Sequence, residues 1–237
     1  MSDWAIKRFW TETGVVEADG GWTATLGGRP LRTPAKAPFV VPTRAYCEAV
    51  AAEWQAQENE VRPETMPFTR SANAAIDKVS VQFDEVAGLI AAYGETDLLC
   101  YRAEGPESLV GRQAEAWDPL LDWAAEALGA RLVPVTGVMH QAQDPNALAR
   151  LTEATHAFDP FELAAFHDLV ALSGSLIAGF AAARGAWSPE TLWSASRIDE
   201  DWQAEQWGAD DEAAGKTALK KQAFLDAAHI FALLGCA

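Results

Sequence analysis

The chain has 237 residues, of which 49% are apolar and 10% aromatic, with ten tryptophans, 18 basic and 34 acidic side chains and a net charge of −16. Such hydrophobicity argues against a disordered chain, and the length gives one or two domains able to bury their own cores. The acidity argues against nucleic acid or an anionic membrane as partner, since both repel a surface of this sign, and no apolar stretch approaches the ~18 residues of a membrane span.

The opening Met1-Ser2-Asp3-Trp4 has no basic stretch leading into an apolar run, so no signal or transit peptide is expected. The three cysteines, Cys47, Cys100 and Cys236, are odd in number and far apart. They read as buried thiols in a reducing compartment, and the expected location is the cytoplasm.

Charge and local pattern change together along the chain. Residues 1–62 carry seven Lys/Arg and eight Asp/Glu, whereas residues 63–237 carry eleven and twenty-six. In the first part, Trp22, Ala24 and Leu26 alternate with Thr23 and Thr25, which puts three apolar side chains on one face of a strand. Asp19-Gly20-Gly21 precedes that strand and Gly27-Gly28 follows it; such glycines supply the backbone angles of tight hairpins. Leu31 and Phe39-Val40-Val41 stand between Pro30, Pro34, Pro38 and Pro42, which predicts short edge strands because proline removes ladder donors.

From Thr43 the period becomes helical. Tyr46, Val50 and Trp54 stand four apart; Ala72, Ala75, Ile76 and Val79 follow the helical spacing, as do Phe83, Val86, Ala87 and Ile90. Asp118-Pro119, Asp144-Pro145, Asp159-Pro160 and Ser188-Pro189 each place a capping acceptor before a residue suited to the first helical position, so each predicts a helix start. Glu162, three residues after Asp159, adds a capping-box partner. A short strand is expected around residues 132–135. The predicted fold is α+β: a small N-terminal antiparallel β domain with its first helix over residues 1–62, followed by a larger all-helical domain over 63–237.

Little in the sequence points to catalysis. The four histidines, 140, 156, 167 and 229, match no metal-site spacing, so no metal is expected. His167, Asp168, Ser173 and Ser175 offer hydrolase residue types, but they crowd into nine residues, and a triad needs convergence from separate elements. Gly215-Lys216-Thr217 resembles the tail of a phosphate-binding loop; the first glycine of that motif would fall on Asp210, followed by Asp211 and Glu212, and these carboxylates repel a triphosphate. No nucleotide or other cofactor is expected. A pair among the many carboxylates acting as acid and base remains an alternative.

The distinctive stretch is residues 199–212, which hold seven acids and no base together with two tryptophans. Read as a solvated helix face, it would turn its tryptophans into the core. Read as a binding face, its charge steers a basic partner and its aromatic side chains anchor it. The candidate partner-binding residues are Asp199, Glu200, Trp202, Glu205, Trp207, Asp210, Asp211 and Glu212.

A family resemblance runs through the chain in ordered blocks. Gly27-Gly28-Arg29-Pro30-Leu31-Arg32-Thr33-Pro34 comes first, then Glu53-Trp54-Gln55-Ala56-Gln57, Met66-Pro67-Phe68-Thr69 and Ala74-Ala75-Ile76-Asp77-Lys78-Val79. Thr96-Asp97-Leu98-Leu99-Cys100-Tyr101-Arg102, Trp117-Asp118-Pro119-Leu120-Leu121-Asp122-Trp123, Ser173-Gly174-Ser175-Leu176 and Trp207-Gly208 with Asp210 and Glu212 follow. From about residue 20 to 215 the sequence resembles the ATP synthase F(1) complex assembly factor 2 family, assembly chaperones that handle the alpha subunit. The resemblance implies a small mixed β domain before a helical one, no catalysis, and a partner in the free alpha subunit, whose beta-facing surface the chaperone masks. It also implies a bacterial, cytoplasmic member, because the eukaryotic ones carry a mitochondrial transit peptide. The family's acidic position after Trp-Gly falls on Glu212, beside Asp210 and Asp211. Trp54 matches a motif tryptophan, although its spacing from Val50 and Tyr46 makes it a core residue.

Overall fold

A computed structural model describes residues 7–208 and 210–235; residues 1–4, the Asp211 side chain and Cys236 lie outside what is described. An N-terminal three-stranded antiparallel sheet is followed by ten helices among the described residues, the mostly helical α+β fold expected. The chain divides into two compact units. Of the described residues, one comprises those within 1–83, 160–165 and 229–236, and the other those within 84–159 and 166–228.

In the first unit, β1 (Thr13–Ala18), β2 (Gly21–Leu26) and β3 (Arg29–Pro30) form the sheet in that order. Gly27 and Gly28 both have positive φ, 54° and 79°, and Leu26 pairs with Arg29 across them. Two left-handed residues in a row give the turn whose twist matches the strands. The alternation along β2 is less simple than the sequence suggests, because Thr23 and Thr25 are buried with Ala24 and Leu26. β2 is the central strand, and over residues 23–26 both of its faces are buried. Trp22 is only half-buried, under the Arg44 guanidinium 5.4 Å from its ring. The expected edge strands after Leu31 reduce to isolated bridges, Trp22 with Val41 and Arg32 with Pro38, since prolines interrupt any longer ladder.

Helix α1 (Arg44–Ala56) starts at Thr43, whose hydroxyl accepts from the Tyr46 N–H at 3.1 Å and donates to the Leu233 carbonyl at 2.6 Å. It packs against β1 and β2 and buries Tyr46, Val50 and Glu53. Glu53 is spent on α2 (Pro67–Ala74): its carboxylate accepts from the N–H groups of Phe68 and Thr69, at 2.7 and 2.8 Å, and from the Thr69 hydroxyl at 2.6 Å. These are free first-turn donors that proline at the helix start does not supply. A wide helical turn over Ala75–Val79 follows α2. Within it Asp77 accepts from the Thr33 hydroxyl at 2.6 Å and the Ala35 N–H at 3.1 Å.

The second unit opens within α3 (Phe83–Ala91), at Asp84, and the helix buries Ala87, Ile90 and Ala91. Helix α4 (Glu107–Ala127) corrects a sequence expectation: Asp118-Pro119 lies inside this 21-residue helix and starts nothing. An interior proline costs about 3 kcal/mol, whereas burying Trp117, Leu120 and Leu121 on one stripe gains roughly 1.5–3 kcal/mol each. Asp118 turns outward to the Arg102 guanidinium at 2.7 Å. The other three pairs do start helices: α5 (Pro145–His156), with Asp144 accepting from the Asn146 N–H at 3.1 Å; α6 (Pro160–Ser173); and α8 (Pro189–Ala195), with Ser188 accepting from the Thr191 N–H at 3.2 Å. The strand expected near 132–135 is shorter and later: β5 (Val135–Thr136) pairs in parallel with β4 (Tyr101–Arg102).

Between these elements lies a fully buried carboxyl. Asp97 is 0% exposed and accepts from the Leu99 N–H at 3.0 Å and from the Ile177 N–H at 3.1 Å. Ile177 opens α7 (Leu176–Ala183), whose start is also capped by Ser175 through the Ala178 N–H at 2.9 Å. Burial pushes the Asp97 carboxyl up to about 6, against the pull of donors from Ile177, Leu99 and Ser175. Cys47 and Cys100 are buried thiols, as expected, and burial raises them to about 11 and about 12.

The pH dependence follows from Asp97. Its acid form is favoured in the folded state, so its contribution is fully present below pH 3.8 and is lost as pH rises through about 6. Across that window the loss amounts to about 3 kcal/mol. Asp97→Asn lacks this slope, so the stability gap between the native chain and the variant narrows from pH 4 to pH 6.5 in urea titrations. Asp97→Ala, which strands two buried N–H groups, loses roughly 2–4 kcal/mol at pH 7.

Candidate partner-binding face

The acidic stretch becomes α9 (Ile198–Trp207) and the start of α10 (Asp211–Leu234). Its composition has a local structural cause. Asp199, Glu200 and Asp201 form the first turn of α9, and Asp210, Asp211 and Glu212 stand at the start of α10. Carboxylates are favoured at both places, where unpaired N–H groups and the positive end of the helix dipole face them. The Asp210 carboxylate accepts from the Glu212 N–H at 2.9 Å, as a cap.

The seventh acid, Glu205, is held from outside the stretch. Its carboxylate meets the Arg112 guanidinium of α4 at 2.8 Å, and that guanidinium lies 4.8 Å from the ring of half-buried Trp202. The shared hydrogen bond raises the Arg112 pKa and lowers that of Glu205. One residue along, the buried Gln113 amide donates to Asp199 at 2.6 Å and accepts from the Ala103 N–H at 2.8 Å. Glu200 pairs with Arg197 at 2.6 Å, and Glu212 with Lys216 at 2.7 Å. Trp202 and Trp207 therefore part company: Trp202 is covered by Arg112, whereas Trp207, the last residue of α9, is 79% exposed.

Arg112 and Gln113 were not singled out from the sequence. They stand 93 and 86 positions, respectively, from the acids they hold, so no local spacing marks them. Arg197 and Glu200, three residues apart, are by contrast a helical neighbour pair.

Trp207 stands between two grooves of about 640 Å³ each. One is lined by Tyr101, Glu104, Leu109, Val138, Asp199 and Trp202. The other is lined by Arg197, Glu200, Asp201, Asp210, Ala214 and Lys221. A third groove of about 530 Å³, between α4 and α8, is lined by Pro119, Leu120, Trp187 and Leu192 among others.

The hydrolase residue types do not converge. His167 and Asp168 form an exposed pair at 3.0 Å, while buried Ser173 donates to the Leu169 carbonyl at 2.6 Å and Ser175 caps α7. Gly215-Lys216-Thr217 lies within α10, where backbone N–H groups serve the helix and not a phosphate. Among the described residues no group of three or more His, Cys, Asp or Glu side chains could hold a metal, and no helix is long and apolar enough to cross a membrane.

An acidic helix ending in an exposed tryptophan is the candidate partner-binding face, and comparison with known proteins places the chain in a class of chaperones. The family described as ATP12 chaperone protein matches residues 7–125. Crystallised Atp12 from Paracoccus denitrificans is 49% identical, with a TM-score of 0.93 over 96% of this chain and 98% of that one. A single-site mutant of the same Atp12p gives 0.94 over 98% and 100%. Atu1473 from Agrobacterium tumefaciens is 42% identical with a TM-score of 0.90, over 97% and 85%. Protein atp12, mitochondrial, from Schizosaccharomyces pombe is 25% identical over 221 residues, 88% of this chain and 76% of that one. The chain belongs to the ATP12 chaperone family, a family of chaperones for ATP synthase assembly.

The site geometry separates supporting residues from surface ones. Gln113→Ala strands the Ala103 N–H and releases Asp199, so it lowers unfolding free energy by roughly 1–3 kcal/mol. Asp201→Asn, at an exposed side chain, changes it by less than about 1 kcal/mol. Chemical denaturation of the two variants side by side checks the difference.

Proposed function

We propose that this chain is a non-catalytic chaperone that binds the free alpha subunit of its own ATP synthase and masks the surface that beta later covers. Membership of the ATP12 chaperone family is the observation that carries this reading. An unpartnered subunit interface is apolar and self-associates, and a chaperone that covers it removes that hazard. The bacterial relatives favour a cytoplasmic site of action, where alpha is made.

The helical domain makes the contact. Asp199, Glu200, Glu205, Asp210, Asp211 and Glu212 supply the field that steers a partly basic alpha surface, and Trp202 and Trp207 supply contact area. Charge of this kind acts mostly on the rate of encounter and on its salt dependence. Release follows when beta buries the alpha surface more favourably, so the chaperone complex must be weaker than the alpha–beta contact.

Two experiments test the reading. Alpha expressed or refolded alone scatters light as it aggregates; a molar excess of this protein suppresses the scattering, a complex survives gel filtration, and added beta displaces the chaperone. Equal aggregation of alpha with and without the protein, and no complex, overturns the assignment. Charge reversal probes the face itself: Asp201→Lys or Glu212→Lys slows association with alpha five-fold or more at low salt and changes stability by less than about 1 kcal/mol. A lowered melting temperature with alpha binding intact would make these carboxylates structural.

A further inference from the structure

We infer that the groove between β4, α4 and α9 receives a short segment of the alpha subunit in which a Lys or Arg stands within two or three residues of a bulky aliphatic or aromatic side chain. The inference rests on the alpha-subunit reading above and places the contact at one side of α9. Apolar side chains converge there that the fold does not use. Val138 is 91% exposed and Trp207 79%, and both line the groove; the next residue, Met139, is 80% exposed. Single apolar side chains on a surface are ordinary, but several around one concavity mark a place where another molecule excludes water.

The charge of the groove specifies the occupant. Its cation, Arg102, is already committed: the side chain donates to the Leu99 carbonyl at 2.8 Å and to Asp118 at 2.7 Å, and it lies 5.2 Å from the Trp117 ring. The carboxylates are not neutralised. Among the described residues, Asp199 accepts from the uncharged Gln113 amide, and neither Asp199 nor Glu104 has an ion-pair partner. A segment that brings an ammonium or guanidinium group to this rim and an apolar side chain to Trp207 and Leu109 satisfies both halves of the lining. A second copy of this chain fits poorly, since it would bring −16 against −16.

The walls are fixed before anything binds. Gln113 ties the Ala103 backbone to Asp199, and the Gly137 N–H donates to the Arg102 carbonyl at 2.8 Å, so little ordering entropy is lost on association. A volume of about 640 Å³ accommodates a few side chains and not a folded domain, which suits an anchoring contact within a larger interface.

The test uses the full chain with its own alpha subunit. A benzophenone amino acid is placed at Val138, at Met139 and, as a control, at exposed Val81 in the other unit; alpha is added, the mixture is irradiated, and the labelled peptides are read by mass spectrometry. Val138 and Met139 are expected to label one alpha segment of the stated composition at least ten-fold more than Val81 does. Val138→Arg is expected to weaken the alpha complex ten-fold or more with the melting temperature unchanged. If alpha forms the complex but labelling from 138 and 139 is no greater than from 81, falls on a segment without a basic residue, or falls on a second copy of this chain, the groove assignment is wrong and the alpha reading stands. If the unmodified protein forms no complex with alpha, that reading fails and the groove assignment with it.

Discussion

The second unit depends on one carboxyl group that never meets water. Asp97 satisfies the N–H groups of Leu99 and Ile177, and so joins the chain leading into β4 to the start of α7, 80 positions later. Without it, the first turn of a fully buried helix would keep unsatisfied donors, which costs more than the helix's own propensity returns. Ser175 alone cannot replace it, because its hydroxyl is taken by Ala178. The cost of burying an acid is accepted because the alternative, several orphaned amides in the core, is worse.

The same device recurs in the first unit, and it explains why the family blocks lie so far apart in sequence. Glu53 of one block meets Phe68 and Thr69 of another and Asp77 meets Thr33, while in the second unit Arg102 meets Asp118. Each block supplies either a carboxylate or the donors that need one. α4 then sets the position of the candidate face: Trp117 donates to the Ala195 carbonyl at 2.7 Å just before α9, Gln113 holds Asp199, and Arg112 holds Glu205. Three residues within two turns of one element thus fix both ends of the segment they face.

Local signals were legible wherever the chemistry was local. The glycine pair after Leu26 and three of the four X-Pro starts could be read because turn angles and capping bonds involve residues two or three apart. Asp118-Pro119 misled because the same dipeptide is tolerated inside a helix when the buried stripe around it outweighs the lost hydrogen bond, and that balance is set by tertiary packing. Thr23 and Thr25 misled similarly, since alternation does not show whether the second face of a sheet is also covered by the rest of the fold. The acidic stretch was visible as composition, but not as two successive helix starts, and its partners Arg112 and Gln113 had no signature because the contacts are long-range.

The placement of those acids bears on how such a surface persists. A cluster of like charges ordinarily works against the fold that carries it, through mutual repulsion, and drifts toward neutrality when its partner exerts little selection. Here six of the seven acids stand at helix starts, where each is modestly favourable to folding in its own right. Purifying pressure on the scaffold alone then preserves the acidic field, so the face proposed for the partner is inherited along with the architecture rather than maintained against it.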